Sequence, residues 1–276
     1  MKLFSYIPIR VHCWGGLGSQ LYALSLAYDL QIKFPKRKIR LLLHTSGVTK
    51  RVSELDFIHN IDFETIQIND FQIQDEECNN HGKSIRIRFK GTVIKILSFF
   101  KFIVSANSNS DFDNVYPWTI STRGHYFNRE VSIDFYKYLL RHIGFKEKPT
   151  IRSQFEIAIH YRMGDLLALT EKSISPANKI IDAIRQAKKN HNNVKINVYS
   201  DSPQIAKETL LSAGLTDEFM VSDRSTIDMI RACVYASYFI GTGSKVSLWI
   251  VNIRRYMGEV NNNYLEGFDD VLYNRR

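Results

Sequence analysis

Hydrophobic positions in the first forty residues predict a strand, a turn, a helix and a second strand. Ile9–Trp14 is a largely apolar run that ends in Gly15-Gly16-Leu17-Gly18. Leu21, Leu24, Ala27 and Leu30 then recur at the spacing of one helix face, with Ser19 as the expected cap. Pro35 follows the helix, and 39–43 is a continuous apolar stretch of the kind buried in a parallel sheet. Together these form a βαβ unit.

The second half alternates more cleanly. Strands are predicted at 155–160, 194–199, 218–221 and 238–241, and helices at 176–190, 203–213, 225–236 and 245–256. Between the halves the pattern is harder to read. Residues 63–68 suit a strand. Ile85, Ile87 and Phe89 alternate with Ser84, Arg86 and Arg88, which predicts a half-exposed strand over 83–90. The apolar run 92–104 contains Lys95 and Lys101. It is expected to be a buried helix with its lysines reaching outward, the alternative being a segment lying on a membrane surface or a partner. A polar loop is expected at 107–114, a helix at 132–143 and a linker at 146–153, around Pro149. Strands alternating with helices predict parallel sheets covered on both faces. The expected architecture is α/β, with two Rossmann-like domains over 1–148 and 149–276 and a cleft between them.

Composition narrows the class. Of 276 residues, 44% are hydrophobic and 24% charged, which excludes collagen, coiled coil and wholesale disorder. Cys13, Cys78 and Cys233 are odd in number and far apart, which excludes a disulfide framework and points to a reducing compartment. Arg10 and His12 interrupt the N-terminal apolar stretch, so no secretory leader is expected. No window of about 18 apolar residues exists to span a membrane. The net charge of +9 is compatible with nucleic acid, an anionic membrane or a phosphorylated small molecule. The tight basic clusters, 36–40 and 188–189, are expected as surface turns. No RNP pattern or Cys/His finger accompanies them, so no nucleic-acid partner is expected.

Four strand-end loops carry candidate chemistry. Gly15-Gly16-Leu17-Gly18-Ser19-Gln20 opens a helix, where glycines admit a close ligand and the helix terminus favours negative charge. It lacks the Gly-Lys-Ser/Thr of a P-loop and the third glycine of a dinucleotide fingerprint. His160-Tyr161-Arg162-Met163-Gly164-Asp165 follows a strand, where an arginine fork can bind two phosphate oxygens. Ser200-Asp201 ends another strand and offers an acceptor to a base or ribose, though it also reads as an ordinary helix start. Gly241-Thr242-Gly243-Ser244-Lys245 combines backbone amides, hydroxyls and a lysine in a way that suits a pyrophosphate. The set points to an anionic nucleotide.

These motifs resemble those of GDP-fucose-dependent glycosyltransferases, most nearly the bacterial α-1,2-fucosyltransferases of glycosyltransferase family 11. That family opens with Gly-Gly-Leu-Gly-Asn-Gln, matched by 15–20 with Ser19 in place of Asn. Its His-x-Arg-x-Gly-Asp donor motif is matched by His160, Arg162, Gly164 and Asp165, and its Ser-Asp strand end by Ser200 and Asp201. Met229, Cys233, Ser244, Ser247 and Trp249 are similar to its closing segment, and Gly124-His125-Tyr126-Phe127 to a middle one. The stretch from about 45 to 120 is unmatched, and the paired Trp of the closing segment is missing.

The resemblance implies a GT-B-like fold of two facing domains, with the acceptor toward the N-terminal one and the donor in the C-terminal one. It implies inverting transfer of fucose or a related deoxysugar from a GDP-sugar to a saccharide or lipid-linked acceptor, with no metal and no further cofactor. The implied setting is cytoplasmic assembly of a surface polysaccharide such as O-antigen or capsule, with peripheral association at the inner membrane face as an open expectation. Arg162 and Asp165 are the catalytic candidates, with His125 a second candidate base. Gly16, Gly18, Ser19, Gln20, His160, Asp201, Thr242, Ser244 and Lys245 are the candidate nucleotide-sugar contacts.

Two rival classes remain: a nucleotide-binding regulatory protein without transfer activity, and a basic nucleic-acid-binding protein. Cys78-x-x-His81 is half a zinc pattern with no second half. Asp111-Phe112-Asp113 mimics a metal-binding Asp-x-Asp but falls in the expected polar loop.

Overall fold

A computed structural model describes residues 6–44, 53–58, 64–68, 85–145, 154–164 and 174–266. The chain divides into two compact units, Met1–His142 and Ile143–Arg276. The expected linker at 146–153 and the half zinc pattern at Cys78 and His81 lie outside the described residues.

Unit 1 contains β1 (Ile9–Trp14), α1 (Leu17–Lys33), β2 (Ile39–His44), β3 (Glu64–Ile68), α2 (Ile85–Phe99), β4 (Ile103–Ser105), α3 (Asn109–Asp113), β5 (Ser121–Arg123) and most of α4 (Ile133–Ile143). Its strands form one parallel sheet in the order β3-β2-β1-β5-β4. β1 lies at the centre and pairs with β2 from Ile9↔Ile39 onward. α1 is buried around most of its circumference, including Leu21, Tyr22, Leu24, Leu26 and Leu30. A helix covered this completely carries apolar residues on nearly every face.

Unit 2 contains β6 (Phe155–His160), α5 (Ala177–Lys188), β7 (Val194–Tyr199), α6 (Pro203–Ser212), β8 (Phe219–Ser222), α7 (Thr226–Tyr235), β9 (Tyr238–Gly241), α8 (Lys245–Tyr256) and β10 (Asn263–Leu265). This sheet is also parallel, in the order β10-β9-β6-β7-β8. Ile157, Ile159, Ile196 and Val198 of its central strands pack with Ile180 and Ile184 of α5. Buried Arg254 of α8 donates to the carbonyls of Cys233, Val234 and Ala236, at the C-terminal end of α7, and to Asn262 near β10. Carbonyl oxygens at a helix C-terminus are a favourable place for a cation.

The α/β class and parallel sheets match expectation, and five local readings need correction. The alternation at 85–89 is helical and opens α2, because an alternation this short covers less than two helical turns and fits either period. The 92–104 run is not one buried helix: α2 ends at Phe99 with an exposed face and β4 follows. The polar stretch 107–114 contains α3, capped by Ser108 and Asp111. Gly16, in extended backbone, is the N-cap of α1, so Ser19 lies inside the helix. Arg37 is buried rather than a surface-turn residue: it donates to the carbonyls of Ile7, Pro117 and Thr119, tying the chain before β1 to that before β5. Cys13 and Cys233 are both buried thiols. Among the described residues no helix is long and apolar enough to cross a membrane.

Candidate functional site

In unit 2 the chain runs outward from β6 to β7 and β8, then returns to place β9 on the other side of β6. Strand order therefore reverses between β6 and β9. Open α/β sheets bind ligands in the crevice outside the carboxyl ends of the strands at such a point. The loops that follow β6 and β9 are those carrying Arg162 and the 242–245 segment.

The two loops are hydrogen-bonded to each other. Thr242 N donates to the His160 carbonyl at 3.2 Å, and Arg162 N donates to Thr242 Oγ1 at 3.1 Å. Thr242 is buried and Arg162 half-buried. Ser244 is the N-cap of α8, its hydroxyl accepting from Val246 N at 3.2 Å, and half-buried Lys245 begins the helix. The arrangement thus joins a guanidinium, a threonine hydroxyl, a lysine and a helix N-terminus on one sheet edge.

His160, the last residue of β6, is buried, and its Nδ1 lies 2.7 Å from Ser247 Oγ. Burial pulls its pKa down to about 4; nearby Asp201 opposes the shift and Arg162 adds to it. At neutral pH it is therefore an uncharged hydrogen-bonding group. Asp201 is exposed at the end of β7, yet its Oδ1 accepts from both Met163 N and Gly164 N at 2.9 Å. It holds the backbone of the arginine loop. A Cβ on Gly164 would meet Asp201 Oδ2 at 2.7 Å, which is the physical reason for glycine in this motif. Gly164→Ala is expected to cost about 1–3 kcal/mol through overpacking against a pinned carboxylate, measurable by denaturant unfolding. Asp165 lies outside the described residues.

Unit 1 has a matching reversal between β1 and β5. Here loop 15–20 and Gly124-His125-Tyr126 follow the strands. The loop's polar groups are engaged within the protein. Leu17 N donates to Glu54 Oε1 at 3.1 Å, so a carboxylate of the chain sits at the N-terminus of α1. Gln20 is buried, donating to the Gly15 carbonyl at 3.0 Å and accepting from Glu54 N at 2.8 Å. Gly18 is buried in the helix, Ser19 and Gly16 are half-buried, and His125 is exposed. Tyr126 has positive φ and donates its hydroxyl to the His12 carbonyl at 2.6 Å. His12 and His44 meet at 2.8 Å, and both rings stack with Trp14.

The structure therefore gathers His160, Arg162, Asp201, Thr242, Ser244 and Lys245 on the carboxyl edge of one sheet. Gly16, Gly18, Ser19 and Gln20 are on the other sheet. Asp111 is used in capping α3, where its Oδ2 accepts from Ser108 N at 3.0 Å. Among the described residues no group of His, Cys, Asp and Glu is placed to hold a metal ion.

Sequence reasoning missed a cavity of about 420 Å³ lined by Arg224, Ser225, Asp228, Arg231, Ala232 and Tyr235. Its lining runs along α7, from Arg224 and Ser225 just after β8 to Tyr235 at the far end of the helix, and the Arg224 guanidinium is 5.8 Å from the Tyr199 ring centroid at the end of β7. The Ser225 hydrogen bond holds the Asp228 carboxyl below its usual range. The only signal was Ser225 three residues before Asp228, which reads as a helix start. Ser247 was also missed as the partner of His160.

The chain matches no protein-family model, and no curated protein is significantly similar to it. Solved structures resemble it in chain path at low identity. A family 9 glycosyl transferase from Veillonella parvula is similar over 98% of this chain and 88% of its own, at 9% identity and TM-score 0.44. The E. coli heptosyltransferase WaaC with ADP-2-deoxy-2-fluoro heptose is similar over 94% and 92%, at 10% and 0.44. POFUT1 in complex with GDP-fucose is similar over 95% and 98%, at 11% and 0.42.

Proposed function

We propose that the chain is an inverting, metal-independent glycosyltransferase that moves fucose or a related deoxysugar from a GDP-sugar to a saccharide hydroxyl, in cytoplasmic assembly of a surface polysaccharide. The observation that carries this reading is the hydrogen-bonded pair of loops at the β6/β9 reversal, which puts Arg162 beside 242–245. Breaking the donor bond builds negative charge on the diphosphate. Preorganised donors aimed at that charge are the largest single catalytic term in such reactions. Arg162, Lys245 and the N-terminus of α8 are that set, held in place by Thr242, whose N–H and hydroxyl both donate to the His160 carbonyl, and none of them requires a cation.

The nucleoside is assigned to His160, the second oxygen of Asp201 and the Arg224 end of the cavity along α7. A 420 Å³ cavity is within the usual range for small ligands. Asp228 already accepts from Ser225 Oγ at 2.7 Å and from Arg231 Nη1 at 3.0 Å, so the paired N–H donors at the edge of guanine, which uracil lacks, would share its remaining lone pairs. Gly16, Gly18, Ser19 and Gln20, expected from the sequence as nucleotide-sugar contacts, are on the other sheet, with Leu17 N and Gln20 engaged by Glu54 and Gly15. Loop 15–20 is therefore reassigned to the acceptor side, with His125 kept as a candidate base.

The test is a thermal-shift comparison of GDP, UDP, CMP and NAD. GDP is expected to raise the midpoint, since a ligand at 100 times its Kd stabilises by about 2.7 kcal/mol. An equal or larger shift with UDP would overturn the donor assignment. Turnover of a GDP-sugar separates a transferase from a protein that only binds nucleotide. That turnover is expected to survive excess EDTA; loss restored by Mn²⁺ would sink the metal-independent reading.

A further inference from the structure

We propose that the C-terminal half of α2, with the Tyr116/Trp118 pair beside it, is a docking surface for an anionic lipid bilayer. Val93 and Ile96 are 37% and 52% exposed, and Phe99 and Phe100 are 79% and 56% exposed. Positions 93, 96 and 100 follow helical spacing and make one apolar stripe, with Phe99 at its side. Exposed large hydrophobic side chains elsewhere among the described residues are scattered, whereas these four fall within eight residues. A concentrated apolar patch of this kind marks an interaction surface.

The tip of this surface is held in place. Lys101 has φ 62°, Phe102 N donates to the Leu97 carbonyl at 2.9 Å, and Lys101 N donates to the Ser98 carbonyl at 3.0 Å. These bonds close α2 as a Schellman motif. Trp118 Nε1 donates to the Phe100 carbonyl at 3.1 Å, and the Trp118 ring stacks on Tyr116 with centroids 4.8 Å apart. The ordered backbone therefore presents the two phenylalanines outward next to two half-exposed amphipathic rings.

Charge decides between a bilayer and a protein partner. The patch itself carries Lys95, exposed, and Lys101, half-buried, and residues 85–101 include no acidic residue. Cations beside apolar side chains suit an anionic headgroup layer, where each added cation near the surface strengthens partitioning about fivefold. Tryptophan and tyrosine settle at the headgroup level, with apolar side chains entering the acyl boundary. The surface serves this purpose whether or not the protein transfers a sugar.

The full chain is mixed with vesicles of phosphatidylcholine, with and without phosphatidylglycerol, and followed by co-sedimentation and tryptophan emission. Partitioning onto the anionic vesicles is expected to exceed that onto neutral ones by about tenfold or more and to weaken with salt. A blue shift is expected that Trp118→Phe removes. The double variant Phe99→Ser/Phe100→Ser should lose about tenfold or more in partitioning, with an unchanged unfolding midpoint because both side chains are exposed. Lys95→Glu should weaken binding to the anionic vesicles only. The proposal is overturned by no partitioning, by equal partitioning of the phenylalanine variant, or by self-association that the same variant abolishes, since that outcome makes the patch a protein interface.

Discussion

Arg162→Lys is expected to lower kcat with a GDP-sugar by about 100-fold or more, the size seen when one preorganised contact to developing charge is removed. Lysine keeps the positive charge but loses the planar fork that bonds two oxygens at once. An interaction that strengthens as the diphosphate departs raises turnover rather than ground-state affinity, so the loss should fall on kcat more than on KM. Arg162→Ala should be worse. Neither change should unfold the protein, because the loop is fastened through backbone groups: Arg162 N to Thr242 Oγ1, and Met163 N and Gly164 N to Asp201. Circular dichroism beside the kinetics checks this. A folded Arg162→Ala variant with near-normal turnover would remove the donor-site reading and leave an Arg162–Asp165 pair serving the turn.

Which parts of this site were legible follows from how local their signals are. β6, β7, β9 and α8 have the boundaries expected from the sequence, because buried parallel strands are continuous apolar runs cut off by polar or glycine loops. His160, Arg162, Thr242, Ser244 and Lys245 sit in those loops, so their shared sheet edge could be anticipated. β4, β5 and β10 were not foreseen, since three residues make too short an alternation to register. Only the start of α2, within 83–90, reads as a strand from the sequence, because an alternation that short fits either period. The supporting roles were invisible. Ser247 meets His160 across 87 positions, Asp201 reaches the arginine loop across 37 and 38, and Glu54 reaches Leu17 across 37. Contacts at such separations come from sheet order, which no local pattern encodes. Asp201 illustrates the consequence. A strand-end carboxylate suggested a nucleoside partner, whereas one of its oxygens is committed to holding the loop that bears Arg162.

Acid is expected to destabilise the folded chain through two buried histidines. Burial pulls His160 down to about 4 and His12 down to about 3, the latter with further help from Arg123, His44 and Arg10. In the unfolded chain both return to the ordinary value of about 6.5. Between these values the unfolded state binds more protons than the folded one, so stability rises with pH across the window. The contribution is complete above about pH 6.5 and is lost as pH falls toward 4 for His160 and 3 for His12. Each histidine adds a slope of about 1.4 kcal/mol per pH unit. Over two pH units the pair therefore removes several kcal/mol, a large share of the roughly 5–15 kcal/mol that holds a typical domain together. Carboxylates contribute to acid unfolding as well, so the decisive measurement is a difference. His160→Asn retains a polar atom near Ser247 Oγ but cannot titrate. Its unfolding free energy, measured in denaturant from about pH 7 down to about pH 5, should fall less steeply than that of the parent by about one proton's worth of slope. Parallel curves for the two proteins would mean that His160 does not remain neutral in the folded state. Its bond to Ser247 would then be that of an imidazolium, and the uncharged role assigned to it beside the nucleoside would fail.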